Sequence, residues 1–130
     1  MTPKTLSKKI STLALSKKAY DVTIIDLRKL TSMTDFFVVC SADSDTQVRA
    51  IADTIKKGMQ ELGEEIWKTE GYSDGRWILL DFVDVVVHIF HKELRNFYNL
   101  EKLWGDAKFE HIVDKPTPVK KTTTRRKKTE

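Results

Sequence analysis

Residues 77–90 read Trp-Ile-Leu-Leu-Asp-Phe-Val-Asp-Val-Val-Val-His-Ile-Phe, a strand-forming apolar run broken by Asp81, Asp84 and His88. Carboxylates inside a β-rich core segment are costly unless they occupy a turn, face solvent or meet a partner. The run therefore predicts one of two things: a hairpin with a polar tip, or a sheet surface shaped to receive another molecule. The hairpin reading places strands at 77–81 and 85–90, joined through Phe82, Val83 and Asp84.

The remaining elements follow from periodicity. Leu6, Ile10, Leu13 and Ala14 repeat at helical spacing, and Pro3 behind Thr2 suits a helix start, so a first helix is expected over 3–18. Residues 22–26 read as a strand with apolar character continuing to Leu27. The polar stretch 31–35 reads as a loop, and 36–40 as a strand covered on both faces. Ser44 and Gln47 form an S-x-x-Q capping box for a helix over 44–63, with Val48, Ile51, Ala52, Ile55, Met59 and Leu62 on one stripe and Gly63 as its stop. Residues 66–72 read as a strand, Ser73-Asp-Gly75 as a turn, and the segment after 90 as short helices with Asn99 a cap and Gly105 a stop. The expected fold is α/β (α+β), a mixed sheet of about five strands flanked by helices, with a right-handed crossover around helix 44–63.

A chain of 130 residues with 40% hydrophobic and 32% charged residues suits one globular domain. The expected division is a folded domain over 1–110 and a disordered basic tail over 111–130, its Lys/Thr/Pro composition setting in at Lys115. The net charge of +4 conceals a segregation. Residues 1–20 hold five lysines and no acid, and residues 115–130 hold seven Lys/Arg against Glu130. Between them 18 acids outnumber 11 bases, so the folding part is acidic and favours basic partners over bare phosphate. Cys40 stands alone, and no apolar run is long enough for a bilayer or a signal peptide. A cytoplasmic location is expected.

Catalytic readings are thin. Asp81, Asp84, His88 and His91 are spaced D-x-x-D-x-x-x-H-x-x-H, but on a strand His91 does not share the parity of Asp84 and His88, which disfavours a metal site. Asp43 and Asp45 have the spacing of a metal dyad but sit at a helix start, where acids stabilise the dipole. Cys40 ends a buried strand without a base to stabilise a thiolate. Trp77, Tyr98 and Trp104, interleaved with Glu70, Asp81 and Asp84, match either a core or a patch of aromatic anchors and carboxylates for a Lys/Arg-bearing protein. The basic tail could hold RNA weakly or merely solubilise the chain.

From about residue 5 to Lys108 the chain resembles the ribosomal silencing factor family (RsfS or Iojap-like). The matching segments are Ile25-Asp-Leu, Thr34-Asp-Phe-Phe-Val-Val, Gln47-Val-Arg-Ala-Ile-Ala-Asp53, Glu70-Gly, Trp77-Ile-Leu-Leu-Asp, Asp84-Val-Val-Val-His-Ile-Phe90 and Arg95-Asn-Phe-Tyr-Asn-Leu-Glu-Lys-Leu-Trp104. Two positions depart: Val83 stands where the family has a turn glycine, and Ala42 where glycine is common after the second strand. A β-branched residue resists positive φ, so a longer or type I-based turn is expected at Val83. The resemblance implies a nucleotidyltransferase-like sheet without that superfamily's catalysis, and no cofactor or metal. It also implies binding to the large ribosomal subunit through its fourteenth ribosomal protein, steric blockage of an inter-subunit bridge, repression of translation, and a homodimer when free. On that reading the partner-binding residues are Glu70, Trp77, Asp81, Phe82, Asp84, His88, Tyr98 and Trp104. The alternatives are a nucleotide-acting enzyme and an RNA-binding ribosome assembly factor.

Overall fold

The computed structural model describes residues 1–97 and 99–112. Tyr98, and residues 113–130 of the tail expected over 111–130, lie outside the described residues, whereas His111 and Ile112 belong to the last strand. The elements run α1 (Pro3–Ser16), β1 (Tyr20–Asp26), β2 (Phe36–Ala42), α2 (Asp45–Glu61), β3 (Lys68–Glu70), β4 (Trp77–Asp81), β5 (Val85–His91), α3 (Lys92–Phe97), α4 (Leu100–Leu103) and β6 (Lys108–Ile112).

Among the described residues six strands form one mixed sheet in the order β3-β4-β5-β2-β1-β6, one more than the sequence reading expects. β2 and β5 run parallel at its centre, while the other four neighbouring pairs are antiparallel. The chain leaves the centre at β2, passes through α2 to the β3 edge, and returns by two hairpins to lie beside β2. β6 was missed because Lys-Phe-Glu-His-Ile is short, half polar and lies beyond the Gly105 stop. Its partner is the outer edge of β1, with Ile25 opposite Phe109 and Val22 opposite Ile112.

Strand alternation divides the core in two. Val38, Cys40, Ile78, Leu80, Val87 and Ile89 point to the face covered by α1 and α2, where they meet Leu6, Ile10, Ile51, Ile55 and Met59. Ile25, Leu27, Val39 and Phe90 form a smaller cluster on the opposite face, covered by Leu94, Leu100, Trp104 and Phe109 from the C-terminal segment. α1 starts with Pro3 at its first turn and Thr2 as N-cap, whose side chain accepts from the Thr5 N–H at 3.2 Å. α2 forms half of the expected capping box. Ser44 Oγ accepts from the Gln47 N–H at 3.1 Å, but the Gln47 side chain turns away and donates to the Lys17 carbonyl, tying α2 to the end of α1.

The β4–β5 connection runs through Phe82, Val83 and Asp84 as expected, but its turn is short and not type I-based: Val83 adopts φ 76°. The Phe82 N–H donates to the Val85 carbonyl at 2.9 Å, and Asp81 Oδ1 accepts the Val83 N–H at 2.8 Å. Neighbouring hydrogen bonds thus force a β-branched residue into a conformation usually left to glycine. Ala42 ends β2 with its methyl group buried in the helix-side core.

Candidate partner-binding site

The face of the sheet away from α1 and α2 is covered only in part. Where the C-terminal segment stops, β2, β4 and β5 present Phe37, Leu79, Val86 and His88 to a depression of about 590 Å³. Leu27 and Trp104 wall one side, and Met33, Trp67 and Val83 stand around the opening. These three are exposed apolar side chains, 87%, 66% and 55% accessible respectively. Large apolar groups held in water around an apolar hollow mark an interaction surface.

Acids lie among them. In the register of β3 on β4, Glu70 faces Leu79 and Lys68 faces Asp81, so all four side chains share the open face. Lys68 Nζ pairs with Glu70 at 3.0 Å and lies 5.0 Å from the centre of the Trp67 ring. Asp81 is the acid there without a lysine partner, its Oδ1 accepting from the Val83 backbone. Gly71 makes the β3–β4 connection possible, because at φ 82° a Cβ would lie 2.1 Å from the Trp77 carbonyl oxygen.

His88 is the unusual member. It is 5% exposed, and its Nδ1 accepts a hydrogen bond from Trp77 Nε1 at 3.2 Å. Burial pushes its pKa down to about 4, so the ring is neutral near pH 7. Phe37 packs edge-on against it at 4.5 Å, and Trp104 in turn packs edge-on against Phe37 at 6.2 Å. His88 Nε2 has no hydrogen-bond partner, nor has the buried Oγ1 of Thr34, which lines the same hollow.

The sequence matches the family described as "Ribosomal silencing factor during starvation" over residues 1–130. The chain belongs to the ribosomal silencing factor family. A ribosomal silencing factor of Halalkalibacterium halodurans is 52% identical over 91 residues, covering 70% of this chain and 78% of that protein. A crystal structure of a Chromobacterium violaceum protein superposes with a TM-score of 0.79 at 34% identity, covering 91% of this chain and 98% of that one. A more distant relative in Mus musculus, "Mitochondrial assembly of ribosomal large subunit protein 1", is 30% identical over 97 residues, 72% of this chain and 42% of its own length.

The family motifs converge on the open face unevenly. Glu70, Asp81, His88 and Trp104 line the hollow. Trp77 lies beside it and is not a free anchor, since its ring stacks on Phe90 at 4.8 Å and its Nε1 is committed to His88. Asp84 is exposed at the hairpin tip, and its carbonyl accepts from the backbone N–H groups of Asp35 and Phe36 at 2.9 and 3.1 Å. Phe82 is placed differently from the expectation: it is 8% exposed and belongs to the helix-side core, so it offers no surface to a partner. Tyr98 lies outside the described residues.

Sequence reasoning overlooked Met33, Thr34, Phe37, Trp67, Leu79 and Val86. The signal for Leu79 and Val86 was present as parity, because they alternate with the core residues 78, 80, 85 and 87. It was hidden by the apolar character of both faces. Among the described residues no three His, Cys, Asp or Glu side chains converge as a metal site. Cys40 is fully buried and its thiol is pushed up to about 12 by desolvation, so it is no nucleophile. No helix among the described residues is long and apolar enough to cross a membrane.

Proposed function

We propose that this protein silences ribosomes by docking the open sheet face onto the large subunit, at its fourteenth ribosomal protein, and thereby blocking an inter-subunit bridge. The observation that carries the reading is the hollow of Phe37, Leu79 and Val86, ringed by exposed Met33, Trp67 and Val83 and flanked by Glu70 and Asp81, in a chain of this family. Its apolar parts supply burial, and its acids suit the basic surface of a ribosomal protein. An interface of standard size, about 800 Å² per partner, fits on one face of such a domain. The mouse relative's name, which couples that protein to large-subunit assembly, is consistent with the choice of subunit.

Action is steric on this reading. No substrate is transformed, and no cofactor, metal or membrane takes part. The free protein pairs with a second copy, the tail adds weak rRNA contact, and the compartment is the cytoplasm. The test is co-sedimentation of the full chain with separated subunits, followed by a joining assay. Wild type should pellet with large subunits and reduce joining. Trp67→Ala should weaken binding about tenfold, as loss of an exposed aromatic anchor does, without changing Tm. Binding to small subunits alone, or undiminished joining at saturating protein, would refute the proposal.

A further inference from the structure

We infer that the hollow is a hydrogen-bonding socket: His88 Nε2–H and Thr34 Oγ1 are held in waiting for a neutral acceptor, a backbone carbonyl or a hydroxyl or amide side chain, carried in by the docking partner. The inference rests on the large-subunit reading above and specifies the chemistry of the group that enters the site.

Trp77 settles the tautomer of His88. Indole Nε1–H can only donate, so His88 Nδ1 must be the unprotonated acceptor of that 3.2 Å bond. A neutral imidazole with a bare Nδ1 carries its proton on Nε2. That N–H is buried and unpartnered. The pKa of about 4 agrees with a neutral ring, so His88 offers the partner a directed donor and not a positive charge.

A buried polar group without a partner destabilises the fold that contains it, and native structures hold few of them. Among the described residues two occur, and both belong to side chains that line one hollow. Neither atom is open to bulk solvent, since each is closed off by its neighbours. A group pressed into the hollow by a docking surface can reach them by displacing a neighbouring side chain such as Phe37, the half-buried ring packed on His88.

The rim restricts what that group can be. Glu70 already holds Lys68 at the opening and Asp81 has no lysine partner, so an entering carboxylate would meet a cation that is taken and an acid that is not. A cation has nothing to gain from an N–H donor. What remains is an uncharged acceptor beside apolar surface that fills against Leu79 and Val86.

Three substitutions separate this role from packing. Thr34→Val keeps shape and removes the orphan hydroxyl. It should raise Tm while weakening binding to purified large subunits about threefold or more. A residue serving only the fold would move both quantities the same way. His88→Asn places its amide where Nδ1 was, preserving the acceptor for Trp77 and deleting the outer donor, and should weaken binding about tenfold. His88→Gln restores a donor near Nε2 and should recover part of that loss. Wild-type binding in the same experiment tests the underlying reading separately. If wild type binds while Thr34→Val and folded His88→Asn bind equally well, the socket is refuted and the docking surface stands.

Discussion

Val83 and His88 show how single residues carry strain on this face. Val83 holds φ 76° with a β-branched side chain, and the left-handed region costs such a residue about 1–2 kcal/mol. Val83→Gly should therefore stabilise the domain by about 1 kcal/mol, after allowance for glycine's greater unfolded-state entropy, and denaturant unfolding measures it. The same change removes an exposed apolar side chain from the rim, so binding should not improve with stability. His88 leaves a different mark. Its pKa falls from an ordinary 6.5 to about 4 on folding, so between those values the unfolded chain binds the proton more readily than the native one. Stability contributed by the neutral ring is complete above about pH 6.5 and is lost as pH falls towards 4. The urea midpoint should drop across that window, and His88→Asn should flatten the drop; an unchanged slope would show that the ring is not desolvated.

Among the elements, α2 was plain from its sequence: Val48, Ile51, Ala52, Ile55 and Met59 are all buried, Ser44 caps its start and Gly63 follows at φ 82°, while Leu62, expected on the same stripe, is exposed. The 77–91 hairpin was equally plain, since two acids amid apolar residues leave little choice but a turn. What the chain did not reveal was which side of that hairpin stays open, because both faces are apolar and only tertiary covering distinguishes them. β6 was hidden for another reason: its two apolar residues, Phe109 and Ile112, face opposite sides of the sheet, so residues 108–112 carry no alternating pattern. Its contribution is testable by truncation. Ending the chain after Ile112 keeps both residues against their core clusters and should leave stability unchanged. Ending it after Ala107 exposes the outer edge of β1 and removes two partly buried side chains. At roughly 1.5 kcal/mol each this is a loss of about 3 kcal/mol, visible as a lower denaturant midpoint.

At the scale of the whole molecule, charge and apolar surface have been sorted to different places. Lys4 and Lys8 lie on α1 on the helix side of the sheet, where Lys8 bridges to Glu110 at 2.6 Å. The hollow with Asp81 and Glu70 lies on the opposite face. This arrangement suits the proposed docking of one side on a basic neighbour, with cations left elsewhere for surrounding phosphate. The contributions differ in their response to salt: burial of the apolar hollow is nearly indifferent, whereas each phosphate contact releases counterions and adds to the slope of log K against log salt. Removal of residues 113–130 should therefore flatten the salt dependence of large-subunit binding, while affinity at high salt changes by less than about threefold. Trp67→Ala should do the opposite, lowering affinity at every salt concentration with an unchanged slope. Filter binding or sedimentation from about 50 to 300 mM salt distinguishes the two, and a Trp67→Ala protein that lost affinity only at low salt would assign the exposed indole to electrostatic positioning instead of burial.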